Sequence, residues 1–333
     1  MLALAIAGVS YRFVENPVRF HPDLLQRPIL SIICAGIVTV SLFGAALLSM
    51  WFATQLIKAP EMKVVTAAID DISRLPRERC VTRTQSVEVK TCDFGNVSSA
   101  TVIVLFGDSH AVHWFNPLQK IAESNGWRLT TVLKSSCHSF DIRPQGHKTA
   151  DLDSCDQWRT EAFEKISAMH PSVILLGNLT SSLGQKDRAK PWITHSLREL
   201  QDGVRGTLLA LADMRVVIIR DVPYFQFDIP TCVARSLRHV WYPNGSCEAD
   251  QSTALNPAVF ESEQAGAQGL SNIHFIDLTN RICGRGVCRP VQGNSVIYRD
   301  RHHLTGSYAD GLMATLNQEL AAILNTPVVR PLL

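Results

Sequence analysis

Two short stretches of this chain hold residue types that together can run acyl transfer. Ser109 lies in Gly107-Asp108-Ser109-His110, directly after the apolar run Ala100-Thr101-Val102-Ile103-Val104-Leu105-Phe106, and His303 lies in Asp300-Arg301-His302-His303-Leu304-Thr305. A serine hydroxyl is a weak nucleophile until a base takes its proton. His303 is the candidate base, because neutral imidazole titrates close to neutral pH. Asp300, three residues earlier, falls on the same side of a turn or helix and can fix the tautomer of the ring. The serine sits where a buried strand would end and a helix begin. Free N–H groups of that helix start then point to where the oxyanion of an attacked ester forms.

The two motifs need a scaffold that brings them together. Apolar runs at 101–106, 128–133, 172–176, 215–220 and 273–277 read as strands, and helices are predicted over 110–125, 156–169, 191–213, 256–268 and 306–324. In the last helix Leu312, Leu316, Leu320 and Leu324 form one stripe. This βα alternation implies a parallel sheet covered on both faces, with ligands at the carboxyl ends of its strands. Asp221, just after the run 215–220, reads as a turn residue at the edge of the site. His110, His113, His302 and His303 are four imidazoles that can gather at one place, but no carboxylate-rich ligand spacing accompanies them. The expectation is no metal, with His110 and Trp114 shaping the site wall and Asp108 accepting hydrogen bonds under the turn.

Gly-Asp-Ser followed far downstream by Asp-x-x-His resembles the SGNH (GDSL-like) hydrolases rather than the Gly-x-Ser-x-Gly elbow of α/β-hydrolases. The variant Gly-Asp-Ser-His-Ala-Val-His-Trp is similar to the SGNH domain fused to membrane acyltransferases of the acyltransferase-3 family, over residues 78 to 325. Ser10-Tyr11-Arg12-Phe13-Val14-Glu15-Asn16-Pro17-Val18-Arg19 resembles the end of the last helix of the acyltransferase-3 membrane domain. The resemblance implies a three-layer α/β/α sandwich with a parallel sheet and a Ser109–His303–Asp300 triad. It also implies an oxyanion hole from the Ser109 N–H and Asn178, which follows the third strand. The pattern departs from the family in two places. Asn178-Leu179-Thr180 lacks the usual Gly-x-Asn-Asp, so a turn residue or an Asn-x-Thr sequon stays open for Asn178. The second-block glycine has no counterpart, which leaves a backbone N–H near Ser135, Ser136 or Cys137 as its substitute.

Residues 28 to 57 contain no Asp, Glu, Lys or Arg, more than the ~20 apolar residues that cross a bilayer. Arg12, Arg19 and Arg27 precede this segment and Lys58 and Lys63 follow, a bias that favours the first loop as cytoplasmic. Its length and position distinguish it from a signal peptide. Cys34 lies inside it. The other eight cysteines form four close successive pairs, Cys80 with Cys92, Cys137 with Cys155, Cys232 with Cys247 and Cys283 with Cys288. An even count in an exported domain reads as disulfides, paired here on proximity. The net charge of +2, without a basic cluster, gives nucleic-acid binding no support.

The expected organisation is a remnant of the last acyltransferase-3 helix at 1–20, a transmembrane helix at 28–57, a linker and lead-in at 58–99 and the SGNH domain at 100–325. The chain then reads as the C-terminal part of an O-acyltransferase in the inner membrane, its SGNH domain in the periplasm or outside. The resemblance implies transfer of an acyl group, acetyl in the first place, to hydroxyls of an extracytoplasmic polysaccharide such as lipopolysaccharide O-antigen. The partners would be the acyltransferase-3 membrane domain, the membrane and the polysaccharide. No cofactor is expected on this chain, with acetyl-CoA as the ultimate donor through the membrane domain. Two other readings are a carbohydrate acetylesterase with the same triad and a non-catalytic carbohydrate-binding accessory domain.

Overall fold

The computed structural model describes residues 2–143, 148–183, 197–237, 247–284 and 286–325. The chain divides into two units, one ending at Lys63 and one beginning at Val64.

The first unit is helical. Leu2–Ser10, a wider π-turn at Tyr11–Glu15, Asn16–Arg19 and Pro22–Gln26 lead to the long helix Pro28–Lys58. Proline at its first position has the right φ and lacks an N–H that would be unpaired there anyway. Its 31 residues give a rod of about 46 Å. The helix is apolar all round, with a mean hydropathy of 2.3 and no buried residue, and is long and apolar enough to cross a membrane. Three of its hydroxyls bond back to the helix itself, Thr39 to the Ala35 carbonyl, Ser49 to Ala45 and Thr54 to Trp51, which suits surroundings that offer no hydrogen bonds.

The second unit is built on a seven-stranded sheet. In chain order its strands are β1 (Val81–Thr82), β2 (Thr91–Gly95), β3 (Val102–Gly107), β4 (Arg128–Lys134), β5 (Val173–Gly177) and β6 (Val216–Ile219). Ribbon β7 (Ala249–Asp250) lies apart, and β8 (Ile273–Ile276) completes the sheet. β9 (Val287–Cys288) pairs with β7, and β10 (Val291–Gln292) with β11 (Ser295–Val296). The main order is β1-β4-β3-β5-β6-β8, all parallel. β2 runs antiparallel along Arg128–Val132 of β4, and β1 takes over beside Leu133 and Lys134. Both lie on the same edge of β4.

β3, β5 and β6 are apolar without alternation because both faces are covered. Val104, Phe106, Ile174, Leu176 and Ile218 pack one face against Trp158, Ala162 and Ile166 of helix Thr149–Ala168 and Leu200, Val204 and Leu208 of helix Leu197–Ala210. The alternate residues Ile103, Leu105, Val173, Leu175 and Val217 point to the opposite face and are equally buried. On that side helix Phe115–Asn125 packs on β2 and β4, and helix Met313–Asn325 packs on it and on β8. The result is a three-layer α/β/α arrangement.

Of residues 58–99, expected as linker and lead-in, those from Val64 onward begin the second unit. The stretch carries helix Lys63–Asp70 and both edge strands, with Cys80–Cys92 tying β1 to β2. A two-residue strand and one alternating buried Cys92 with exposed Asp93 carry too little apolar pattern to stand out. The final helix breaks at Leu312 into Gly306–Gly311 and Met313–Asn325, and helix Thr149–Ala168 starts seven residues before its expected beginning. The first six residues of the helix expected at 191–213 lie outside the described residues; the rest runs over Leu197–Ala210. The disulfides are Cys80–Cys92, Cys137–Cys155, Cys232–Cys247 and Cys283–Cys288, and Cys34 is free.

Candidate active site

The register of the sheet gathers the site. Gly107 of β3 pairs with Gly177 of β5 and with Leu133 of β4, and Leu176 pairs with Ile218 of β6. The segments that follow, carrying Ser109, Ser135–Ser139, Asn178 and Asp221, therefore emerge at one carboxyl edge. β3 lies between β4 and β5, where successive connections turn to opposite sides. That switch point is where an open α/β sheet leaves a crevice for ligands.

Two glycines permit the turn at Ser109. Gly107 has φ of +149°, and a Cβ there would lie 1.9 Å from the Gly177 carbonyl oxygen. A Cβ on Gly177 would lie 2.7 Å from Cα of Ala111, in the 3₁₀ turn Ala111–Trp114. Asp108 stitches this region together. Its buried carboxylate accepts from the His110 N–H at 2.7 Å and, across the strands, from the Leu179 N–H at 2.9 Å. Ser109 stays partly exposed above it.

The C-terminal motif supplies the other two groups. The bridge between Tyr298 and Leu304 pinches the loop, and Asp300 Oδ1 accepts from the N–H groups of His302 and His303 at 2.9 and 2.8 Å. Asp300 Oδ2 meets His303 Nδ1 at 2.7 Å, and His303 Nε2 lies 3.0 Å from Ser109 Oγ. Burial alone would raise the Asp300 carboxyl. The hydrogen bond from His303, the charge of that ring and the two N–H groups outweigh it and hold the carboxyl well below the usual carboxylate range. An ionised Asp300 keeps a proton on His303 Nδ1 and leaves Nε2 to accept from the serine. Burial lowers the pKa of His303; Asp300 pulls it up, but His110 and Arg299 join burial and the net shift is downward.

A second Asp–His pair stands beside the first. His110 Nδ1 lies 2.5 Å from Asp221 Oδ1, and both side chains are buried. Burial opposes charge on each, yet their attraction prevails: His110 is raised above 6.5 and Asp221 is lowered. Asp221 also accepts from the Val222 and Ser181 N–H groups at 2.7 and 2.8 Å. His110 Nε2 lies within hydrogen-bond distance of His302 Nδ1, at 2.9 Å. Burial and the charges of His110 and His303 push His302 down to about 3. The neutral His302 ring lies edge to edge with its hydrogen-bond partner His110 and stacks on Tyr224, with ring centres 5.2 Å apart. The ring nitrogens of His110, His302 and His303 approach within 4.8 Å of one another, engaged with each other, the two carboxylates and Ser109. Behind Asp221, burial raises Glu263 to about 8, against a hydrogen bond with Thr180, and keeps a second charge from facing Asp221.

Asn178 is buried and clamped by Ser139. Its Oδ1 accepts from the Ser139 N–H at 2.7 Å and hydroxyl at 3.0 Å, and its Nδ2 donates to the same hydroxyl at 2.8 Å. The Ser109 N–H has no acceptor among the described residues. The loop after β4 is held by the Cys137–Cys155 disulfide and by buried Arg159, which donates to the His138 carbonyl and to Asp141. The Ser135 N–H is committed to the Thr82 carbonyl at 2.9 Å, which removes it from the candidate donors. Trp114 is buried and does not line the pocket at Ser109. Asp221, expected as a turn residue, is instead the buried partner of His110. It, Ser139 and Tyr224 escape a reading of the sequence because only the register of distant strands places them; the one local signal is an acidic residue directly after a buried strand.

A serine, a histidine and an aspartate at the carboxyl edge of a parallel three-layer sheet, delivered by Gly-Asp-Ser and Asp-x-x-His, define an enzyme of the SGNH type. The family model described as "SGNH domain (fused to AT3 domains)" matches residues 79–318, and the chain belongs to that family. Among solved structures, the chain resembles the periplasmic domain of a lipopolysaccharide acetyltransferase from Salmonella ser. Paratyphi A, at 16% identity over 68% of this chain and 85% of that one, TM-score 0.48. It also resembles Est24, a carbohydrate acetylesterase from Sinorhizobium meliloti, at 10% identity over 67% of this chain and 99% of that one, TM-score 0.40. No curated protein sequence matches it.

Proposed function

We propose that this chain transfers an acyl group, acetyl in the first place, to hydroxyls of an extracytoplasmic polysaccharide through an ester on Ser109. The observation that carries the reading is the continuous relay from Asp300 to His303 to Ser109, at 2.7 and 3.0 Å. His303 Nε2 takes the serine proton as Oγ attacks the acyl carbonyl carbon. The Ser109 N–H and the second Nδ2 proton of Asn178 donate to the oxyanion. The tetrahedral adduct collapses, the bond to the leaving group breaks, and His303 returns the proton to that group. His303 then deprotonates the acceptor hydroxyl, whose attack on the Ser109 ester passes the acyl group on and restores the serine.

A family described as fused to AT3 domains supports an acyltransferase-3 membrane domain as the partner that presents the acyl group, drawn ultimately from acetyl-CoA. The long apolar helix supports anchorage in the inner membrane, and four disulfides support an oxidising compartment such as the periplasm for the folded unit. The same relay supports acetylester hydrolysis when water replaces the sugar hydroxyl.

The test is acetyl release from an aryl acetate by the full chain in detergent micelles, beside Ser109→Ala and His303→Ala. Each variant is expected to lose at least ~10³-fold in kcat. A wild type as slow as both variants, with its disulfides intact, overturns the reading.

A further inference from the structure

A pocket touches Ser109, and its other walls have no role in the relay. Arg77, from the short helix Arg77–Cys80, and Arg299, next to Asp300, both line it. No residue of the Asn178–Ser139 clamp does. The pocket is therefore separate from Asn178, the second proposed oxyanion donor, although it shares Ser109.

Two features point to the same missing chemistry. Neither guanidinium forms an ion pair among the described residues, and the neighbouring Asp300 carboxylate is taken by His303 and two N–H groups. Burial lowers Arg299, and Arg77 adds to that effect while Asp300 opposes it, so the two cations stand close enough to repel. Guanidinium forks match carboxylate and phosphate oxygens.

We infer that the Ser109 pocket takes a substrate bearing a carboxylate or phosphate a few bonds from the reacting ester, gripped by Arg77 and Arg299. This rests on the acyl-transfer reading and narrows its substrate class. The charged group has two possible sources: the acyl chain, as in a dicarboxylic half-ester, or the sugar, as in a uronic acid. A neutral acetyl ester of a neutral sugar fills the site without satisfying it.

The experiment compares kcat/KM of the full chain in detergent for four substrates: an aryl acetate, an aryl hemisuccinate, an acetylated methyl glucoside and an acetylated methyl glucuronide. One charged substrate is expected to exceed its neutral counterpart by about tenfold or more, as one charge-assisted contact allows. The winning pair identifies the source. The ratio should fall toward one in Arg299→Gln and Arg77→Gln, whatever happens to the neutral rate, and recover in part in Arg299→Lys. A binding arm stands apart from turnover: succinate or methyl glucuronide should raise the Tm of Ser109→Ala, and methyl glucoside should not. Equal kcat/KM for charged and neutral partners overturns the inference, as does a preference untouched by the glutamine variants. If no ester is turned over, the acyl-transfer reading falls and the Tm arm alone decides the anion site; no rise in Tm with either anion rejects it.

Discussion

His303 is a base whose readiness depends on a neighbour it does not touch by hydrogen bond. His110, whose charged form Asp221 favours, has its ring centre 5.1 Å from that of His303, and its charge disfavours a second one there. General-base activity needs neutral His303, so activity falls as pH drops through its pKa, and a lowered pKa moves that limb to more acid pH. The acid limb of kcat/KM is expected to have its midpoint below 6.5. His110→Gln removes a positive charge and leaves Asp221 negative; both changes favour protonated His303, so the midpoint should rise. A pH–rate profile of the two proteins checks this, and a midpoint that stays put or falls would show that His110 is not a cation. The three residues of the relay were legible in the sequence because each motif is local: Gly-Asp-Ser is one turn, and Asp300 reaches His303 within its own loop. The His110–Asp221 pair was not, since 111 residues separate its members and only the alignment of β3 with β6 through β5 makes them neighbours.

At the scale of elements, the site depends on how closely β5 approaches the turn after Ser109. Gly177→Ala sets a methyl group 2.7 Å from the Ala111 backbone, which can only move away and take Ser109 with it. A displacement of that order costs ~10²-fold in rate, and the strain costs about 1–3 kcal/mol of stability. Gly206, exposed on helix Leu197–Ala210 with open space around its Cβ position, gives the contrast: Gly206→Ala should gain about 0.5–1 kcal/mol at unchanged kcat. Melting curves and initial rates of the two variants check both statements. The strands around the site were readable as apolar runs bounded by polar residues, within one residue or so of their observed ends. β1 and β2 were not, because an edge strand half exposed to water needs only Cys92 and Phe94 as its buried signal.

Across the whole molecule, covalent bonds do part of the work of a core. Cys137–Cys155 closes a span of 18 residues and fixes the loop that carries His138 and Ser139, and through Ser139 the amide of Asn178. Its removal in Cys137→Ala/Cys155→Ala should cost about 3 kcal/mol, a fall in Tm on the order of 10 °C, together with a loss of kcat that a disulfide remote from the site would not produce. Calorimetry and aryl acetate turnover, beside the Cys283→Ala/Cys288→Ala protein, test that coupling. Pairing by sequence proximity matched the disulfides because each bond joins cysteines no more than 18 residues apart. The relay is assembled in the opposite way, with Ser109 and His303 separated by 194 residues. At ~5–20 residues per second, a ribosome needs roughly 10–40 s to travel from the nucleophile to its base. Until then the emerging polypeptide holds an inert alcohol in place of an activated one. The long separation is a timer, and the relay cannot consume an acyl ester before His303 has been made.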